Sequence, residues 1–162
     1  MAGYGDVLRD RAGTLALPRG TAPRWLRFAS TVLFYGYVGL LIVAGAWGVI
    51  FGRVDQSLLL GLHLDRLPAR VQADVMSQYR FLRAIELGFG LFALIHRNDI
   101  YRLRAFNRLF LFTMTAGVVA RIIGALVDGS PSPAMYVFGG AELAGVIAIF
   151  AYTRTSLQPS AL

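Results

Sequence analysis

The sequence predicts an all-α fold: an integral membrane four-helix bundle with both termini cytoplasmic. Three observations lead there. Hydrophobic residues make up 56% of the 162-residue chain, and mean hydropathy is +0.58. Four apolar runs are each long enough to cross a bilayer core of about 30 Å, which takes ~20 residues at a rise of about 1.5 Å each. The 16 lysine-plus-arginine positions are all arginine, and most flank those runs. The formal charge of +7 is therefore read through the positive-inside rule, and with no basic-aromatic module in view nucleic-acid binding is excluded. The absence of cysteine excludes disulfides, thiolate–zinc ligation and thiol catalysis. His63 and His96 lie in separate regions, so no metal centre and no cofactor are expected.

Residues 1–25 form a basic cytoplasmic arm, broken by Gly3, Gly5, Gly13, Pro18, Gly20 and Pro23 and charged by Arg9, Arg11, Arg19 and Arg24. It reads either as a plain tail or as a segment held on a cytoplasmic partner or on anionic headgroups, to which each arginine contributes about 1 kcal/mol near the surface. The four-span domain covers 26–153. Its first span is about 28–51, with no charge between Arg27 and Arg53. Ala44-Gly45-Ala46 matches a signal-peptidase pattern, but the apolar run is too long for a signal sequence and continues past that site. Gly45, Gly48 and Gly52 mark one side as a helix-packing face, and this is the face of the first helix expected to meet a partner.

From Arg53 to Asp74 the reading is a loop, with Leu58 to Leu62 too short to span and lying on the membrane surface or against a partner. A helix is expected to begin after Pro68 and to run into the second span, 75–95. His96 is read as a solvated loop residue. The third span is 105–127, and Gly129-Ser130-Pro131-Ser132-Pro133 makes a tight turn. The fourth span is 134–152, and 154–162 is a cytoplasmic tail. Arg9, Arg11, Arg19, Arg24, Arg27, the four arginines of 97–108 and Arg154 fall on one side of this arrangement. Only Arg53, Arg66 and Arg70 fall on the other, which places both termini inside.

Charges within the spans are the unusual feature. Arg80, Arg83 and Glu86 share one face of the second span with Gly90; Arg121 lies in the third with Gly117, Gly124 and Asp128; Glu142 lies in the fourth with Gly139 and Gly145. An ionised side chain at the centre of a bilayer costs roughly 2.5–3.5 kcal/mol on insertion scales. All of them fall in the outer half of the bilayer, so antiparallel helices bring Arg83 or Arg121 against Glu86 and Glu142 where glycines permit close approach. Three arginines against two glutamates leave a positive remainder, which Asp128 or an anionic ligand would neutralise. The network is read either as structural or as a pocket for a headgroup, a carboxylate or a proton. No nucleophile–base order, phosphate loop or metal-ligand spacing accompanies it, so a non-enzymatic role is expected.

The spacing Arg83-x-x-Glu86-Leu87-Gly88, Arg121-x-x-Gly124 and Glu142 resembles an uncharacterised family of small bacterial four-helix membrane proteins, over roughly residues 28–153. The basic arm, arginine richness and size are also similar to those of accessory subunits of the mycobacterial Mce (mammalian cell entry) lipid importers. That resemblance implies a non-catalytic subunit of the cell inner membrane, in contact with membrane lipids and docked beside a permease. The alternative is a small intramembrane enzyme or lipid-binding protein that uses the Arg/Glu seam.

Overall fold

The computed structural model describes residues 22–61 and 63–157. The expectations for the arm and the tail fall mostly on 1–21 and 158–162, outside the described residues. Among the described residues five α-helices follow in order: α1 (Arg24–Leu60), α2 (Ala69–Ile95), α3 (Arg97–Arg102), α4 (Arg104–Val127) and α5 (Pro133–Ser156). One 3-10 turn, Leu64–Arg66, lies between α1 and α2. Among the described residues there is no strand. Three helices, α1, α4 and α5, are long and apolar enough to cross a membrane, which suggests a membrane protein. α2 has 27 residues but is interrupted by Arg80, Arg83 and Glu86 and falls outside that set.

α1 corrects the expected loop from Arg53. The helix runs 37 residues, bending at Phe51 (φ −106°, ψ 32°) beside Gly52, and continues to Leu60. It continues because Asp55 and Gln56 are buried, so the last turns still carry a packed face. Leu58 to Leu60 are thus its final turn and not a segment lying apart from it. Gly61 stops it in the left-handed region at φ 63°, donating its N–H to the Ser57 carbonyl at 3.1 Å.

α2 packs along α1, α5 also packs on α1, and α4 packs on α5, with the short α3 touching α2, α4 and α5. The apolar core sits where the start of α1 meets the end of α2, the start of α4 and the end of α5. Phe34, Val38, Ala93, Ile100, Phe110, Met114 and Ile149 are fully buried there. Phe110 joins three helices: its ring centroid lies 5.3 Å from Phe34 and 5.7 Å from Phe89. This end carries Arg27, Arg97 and Arg102 and is called the basic end. The opposite end, where α4 passes through Gly129 (φ 103°) into α5, is the turn end. Asp55, Arg83, Arg121 and Glu142 lie on the turn-end side of this core.

Candidate functional site

Gly45, Gly48 and Gly52 recur at helical spacing on α1, and α2 closes directly over them. A Cβ on Gly45 would stand 2.6 Å from the Leu87 amide nitrogen and 2.8 Å from the Arg83 carbonyl oxygen. At Gly48 it would meet the Arg83 side chain, with Nε at 2.7 Å. Gly52 faces Met76, whose Cε would lie 2.8 Å away. The glycine face is therefore consumed inside the chain, beneath Arg83.

Arg83 is held on two sides. Its Nη2 lies 2.8 Å from Asp55 Oδ2, and its Nη1 donates to Glu86 Oε2 at 2.7 Å. Tyr79 completes the group: its hydroxyl donates to Asp55 Oδ2 at 2.6 Å and accepts from Arg83 Nε at 3.1 Å and Nη2 at 2.8 Å. The guanidinium also lies 5.0 Å from the Tyr79 ring centre. The Arg83 and Asp55 side chains are only 11% and 8% exposed, so each charge depends on the other.

A second ion pair joins α4 to α5. Arg121 donates from Nε to Glu142 Oε2 at 2.8 Å and from Nη2 to Oε1 at 3.1 Å. This fork-on-fork geometry fixes direction as well as distance. Glu142 is 11% exposed, whereas Arg121 is 40% exposed, and its Nη1 turns to Met135 Sδ at 3.7 Å. Gly139 makes room for it, since a Cβ there would touch Arg121 Cδ at 3.4 Å; Gly145 likewise receives Met114. Glu86 lies within electrostatic range of Arg121, which links the two groups of charges.

Several sequence expectations change here. Asp55, assigned to a loop, is the main cross-helix partner of Arg83. A first span that ends at Phe51 leaves it outside the helix, yet it continues the Gly45, Gly48, Gly52 spacing. Arg80 is exposed and makes no ion pair among the described residues. Asp128 is exposed and is not the partner of Arg121. The seam therefore holds two guanidiniums and three carboxylates, so its remainder is negative, not positive. Gly90 meets α1 at Ile42, 2.8 Å from its would-be Cβ; Gly117 has open space, and Gly124 has only Asp128 of its own helix nearby. His96 is half-buried, with Nδ1 3.0 Å from Asp99 Oδ2 and its ring against Phe92 and Phe106.

An open groove of about 670 Å³ lies beside Arg121 between α4 and α5, walled by Val118, Ile122, Met135, Tyr136 and Leu143. Among the described residues, no group of three or more His, Asp or Glu side chains is placed to hold a metal ion. Chemically, the seam can bind the helices to one another. A family model described as a domain of unknown function (DUF4345) matches residues 29–153. No curated protein and no solved structure matches the chain significantly.

Proposed function

We propose a function for this chain, which belongs to the family of the domain of unknown function DUF4345: it is a non-catalytic accessory subunit of an envelope lipid-import complex of Mce type. In this reading it crosses the cell inner membrane four times, α2 being the fourth span, with both termini cytoplasmic. The observation that carries the non-catalytic part is the closure of the seam on itself. Arg83 and Arg121 are each engaged by carboxylates of the same chain, so what the protein offers to others is its outer surface. The Mce assignment rests on the likeness in size and arginine pattern to accessory subunits of the LucB kind.

The docking face differs from the one first expected, because α2 covers Gly45, Gly48 and Gly52. The outward stripe of α1 replaces it: Phe28, Val32, Val43, Trp47 and Ile50 are exposed. Between them Gly36 and Gly39 have nothing within 4 Å, which leaves a shallow place for a partner helix to approach. A tagged full-length chain, solubilised in mild detergent, should bring down a stoichiometric larger membrane subunit. Gly36→Leu with Gly39→Leu should release that subunit while leaving the tagged chain monodisperse. Recovery of the chain alone, from native membranes at native expression, overturns the subunit reading.

A second reading has its own observation. The α4–α5 groove leaves Arg121 Nη1 facing only a thioether, as a ligand-binding seam would. A small molecule copurifying with a solitary chain would favour it.

A further inference from the structure

The basic end carries a pocket that the seam and the α1 stripe do not use. Its volume is about 450 Å³, and Arg27 and Tyr35 of α1 face Arg97, Asn98 and Arg102 of α3 across it. No carboxylate lines it. Arg27, Arg97 and Arg102 form no ion pair among the described residues, and the nearest acid in sequence, Asp99, is engaged by His96. Three like charges facing one cavity repel one another, and an anion between them removes that cost.

The pocket is built and not incidental. Arg97 donates from Nη1 to the Tyr35 hydroxyl at 2.9 Å, which holds the guanidinium at the rim. α3 is pinned from beneath: the Tyr101 hydroxyl donates to the Ser30 carbonyl and lies 3.0 Å from Ser30 Oγ, and Ile100 is fully buried. Burial pushes the Tyr101 hydroxyl up to about 12, so it remains a neutral hydrogen-bonding group at any physiological pH. Phe34 forms the floor. The short basic helix is thus fixed with its arginines turned towards α1.

Position selects the anion. Arg27 is the last charge before the stretch 28–52 of α1, which has none, and Trp25 and Phe28 stand exposed beside it. Aromatic side chains at the border of an apolar helix mark headgroup depth, and basic pockets between helices at that depth suit phosphate headgroups. We propose that this pocket binds the phosphate of an anionic membrane lipid, with Arg27, Arg97 and Arg102 as its ligands and Asn98 as a further donor. The proposal rests on the reading that the chain spans the membrane with its basic end at one surface.

The test uses the full chain in mild detergent, offered phosphatidylglycerol or phosphatidylcholine in equal amounts, with bound lipid read by native mass spectrometry. Phosphatidylglycerol should be retained in preference. Arg97→Gln with Arg102→Gln should weaken its retention roughly 10- to 30-fold, from the loss of two near-surface arginine contacts. Arg104→Gln with Arg108→Gln removes the same charge from the same end but outside the pocket, and should leave retention nearly unchanged. Equal losses in the two double variants would mean general surface attraction and would overturn the site. So would equal retention of the two lipids, or displacement of phosphatidylglycerol by inorganic phosphate at the same concentration. Should the first double variant fail to fold, Asn98→Asp, which puts a carboxylate at the rim, carries the same expectation. Resistance of the membrane-bound chain to carbonate extraction reports on the spanning reading separately.

Discussion

At the scale of the residue, Arg83 is the position on which most contacts converge. It fills the space left by Gly48, binds Asp55 on the neighbouring helix and Glu86 on its own, and shares Tyr79 with Asp55. Arg83→Leu leaves Asp55 buried without a counter-ion, and removing one partner of a buried pair costs about 3–5 kcal/mol. The expected outcome is a sharp fall in membrane abundance and a lower melting midpoint in detergent, partly restored by Asp55→Asn in the same chain. The Arg121–Glu142 pair is more open on the arginine side. Arg121→Leu and Glu142→Leu should each destabilise, and the double variant should lose less than the sum, with a coupling of roughly 0.5–3 kcal/mol. Strict additivity would mean that the bidentate contact contributes nothing. Sequence alone shows that charges within apolar runs need partners, since the cost of leaving them unpaired is general. It does not choose the partner, because the choice depends on where each helix ends: ending α1 at Phe51 removes Asp55 from view, and with exposed Arg80 counted in the seam as well the remaining charge takes the wrong sign.

At the scale of the element, the glycines separate into those that meet another helix and those that do not. Spacing alone could not sort them: Gly36 and Gly45 look alike in sequence, and the choice of which side α2 covers is made by the contacts of Arg83, Leu87 and Met76. Gly45→Ala places its methyl group against α2 backbone atoms at 2.6 and 2.8 Å, neither of which can rotate away. It should separate α1 from α2 and lower the detergent melting midpoint clearly. Gly36→Ala meets nothing, and alanine is favoured over glycine within a helix by about 1 kcal/mol. It should be neutral or stabilising. Equal destabilisation by the two substitutions would contradict the placement of α2. Helix starts were more legible than helix ends, for a local reason. Pro68 and Pro133 announce a first turn through their fixed φ, whereas the end of α1 depends on packing by Asp55 and Gln56 before Gly61 can stop it.

At the scale of the whole molecule, the distribution of charge gives each end a character. The basic end holds the aromatic core and the arginines of α3; the turn end holds the paired seam, Asp128 and the turn at Gly129. Apolar length and arginine position made the helical class readable from the sequence, because both follow from the solvent. The relation of α2 to the membrane did not follow so directly, since Arg80, Arg83 and Glu86 lower its apolarity and pairing offsets only Arg83 and Glu86. If α2 spans, the 129–132 turn and the α3 connector face opposite sides of the membrane. The chain contains no cysteine, so single cysteines report cleanly. Ser132→Cys and Asn98→Cys both stand on exposed connecting positions. In intact cells a membrane-impermeant maleimide should label the Ser132 variant and leave the Asn98 variant untouched until the membrane is opened, as the excess of arginine at the basic end requires. A third position, Asp65→Cys in the connection between α1 and α2, isolates α2 itself. It should be labelled from the same side as Ser132, because α1 and α2 together return the chain to the basic end. Protection of Asp65→Cys in intact cells, with labelling of Ser132→Cys unchanged, would mean that the first two helices do not cross as a pair, and the fourfold crossing would have to be abandoned.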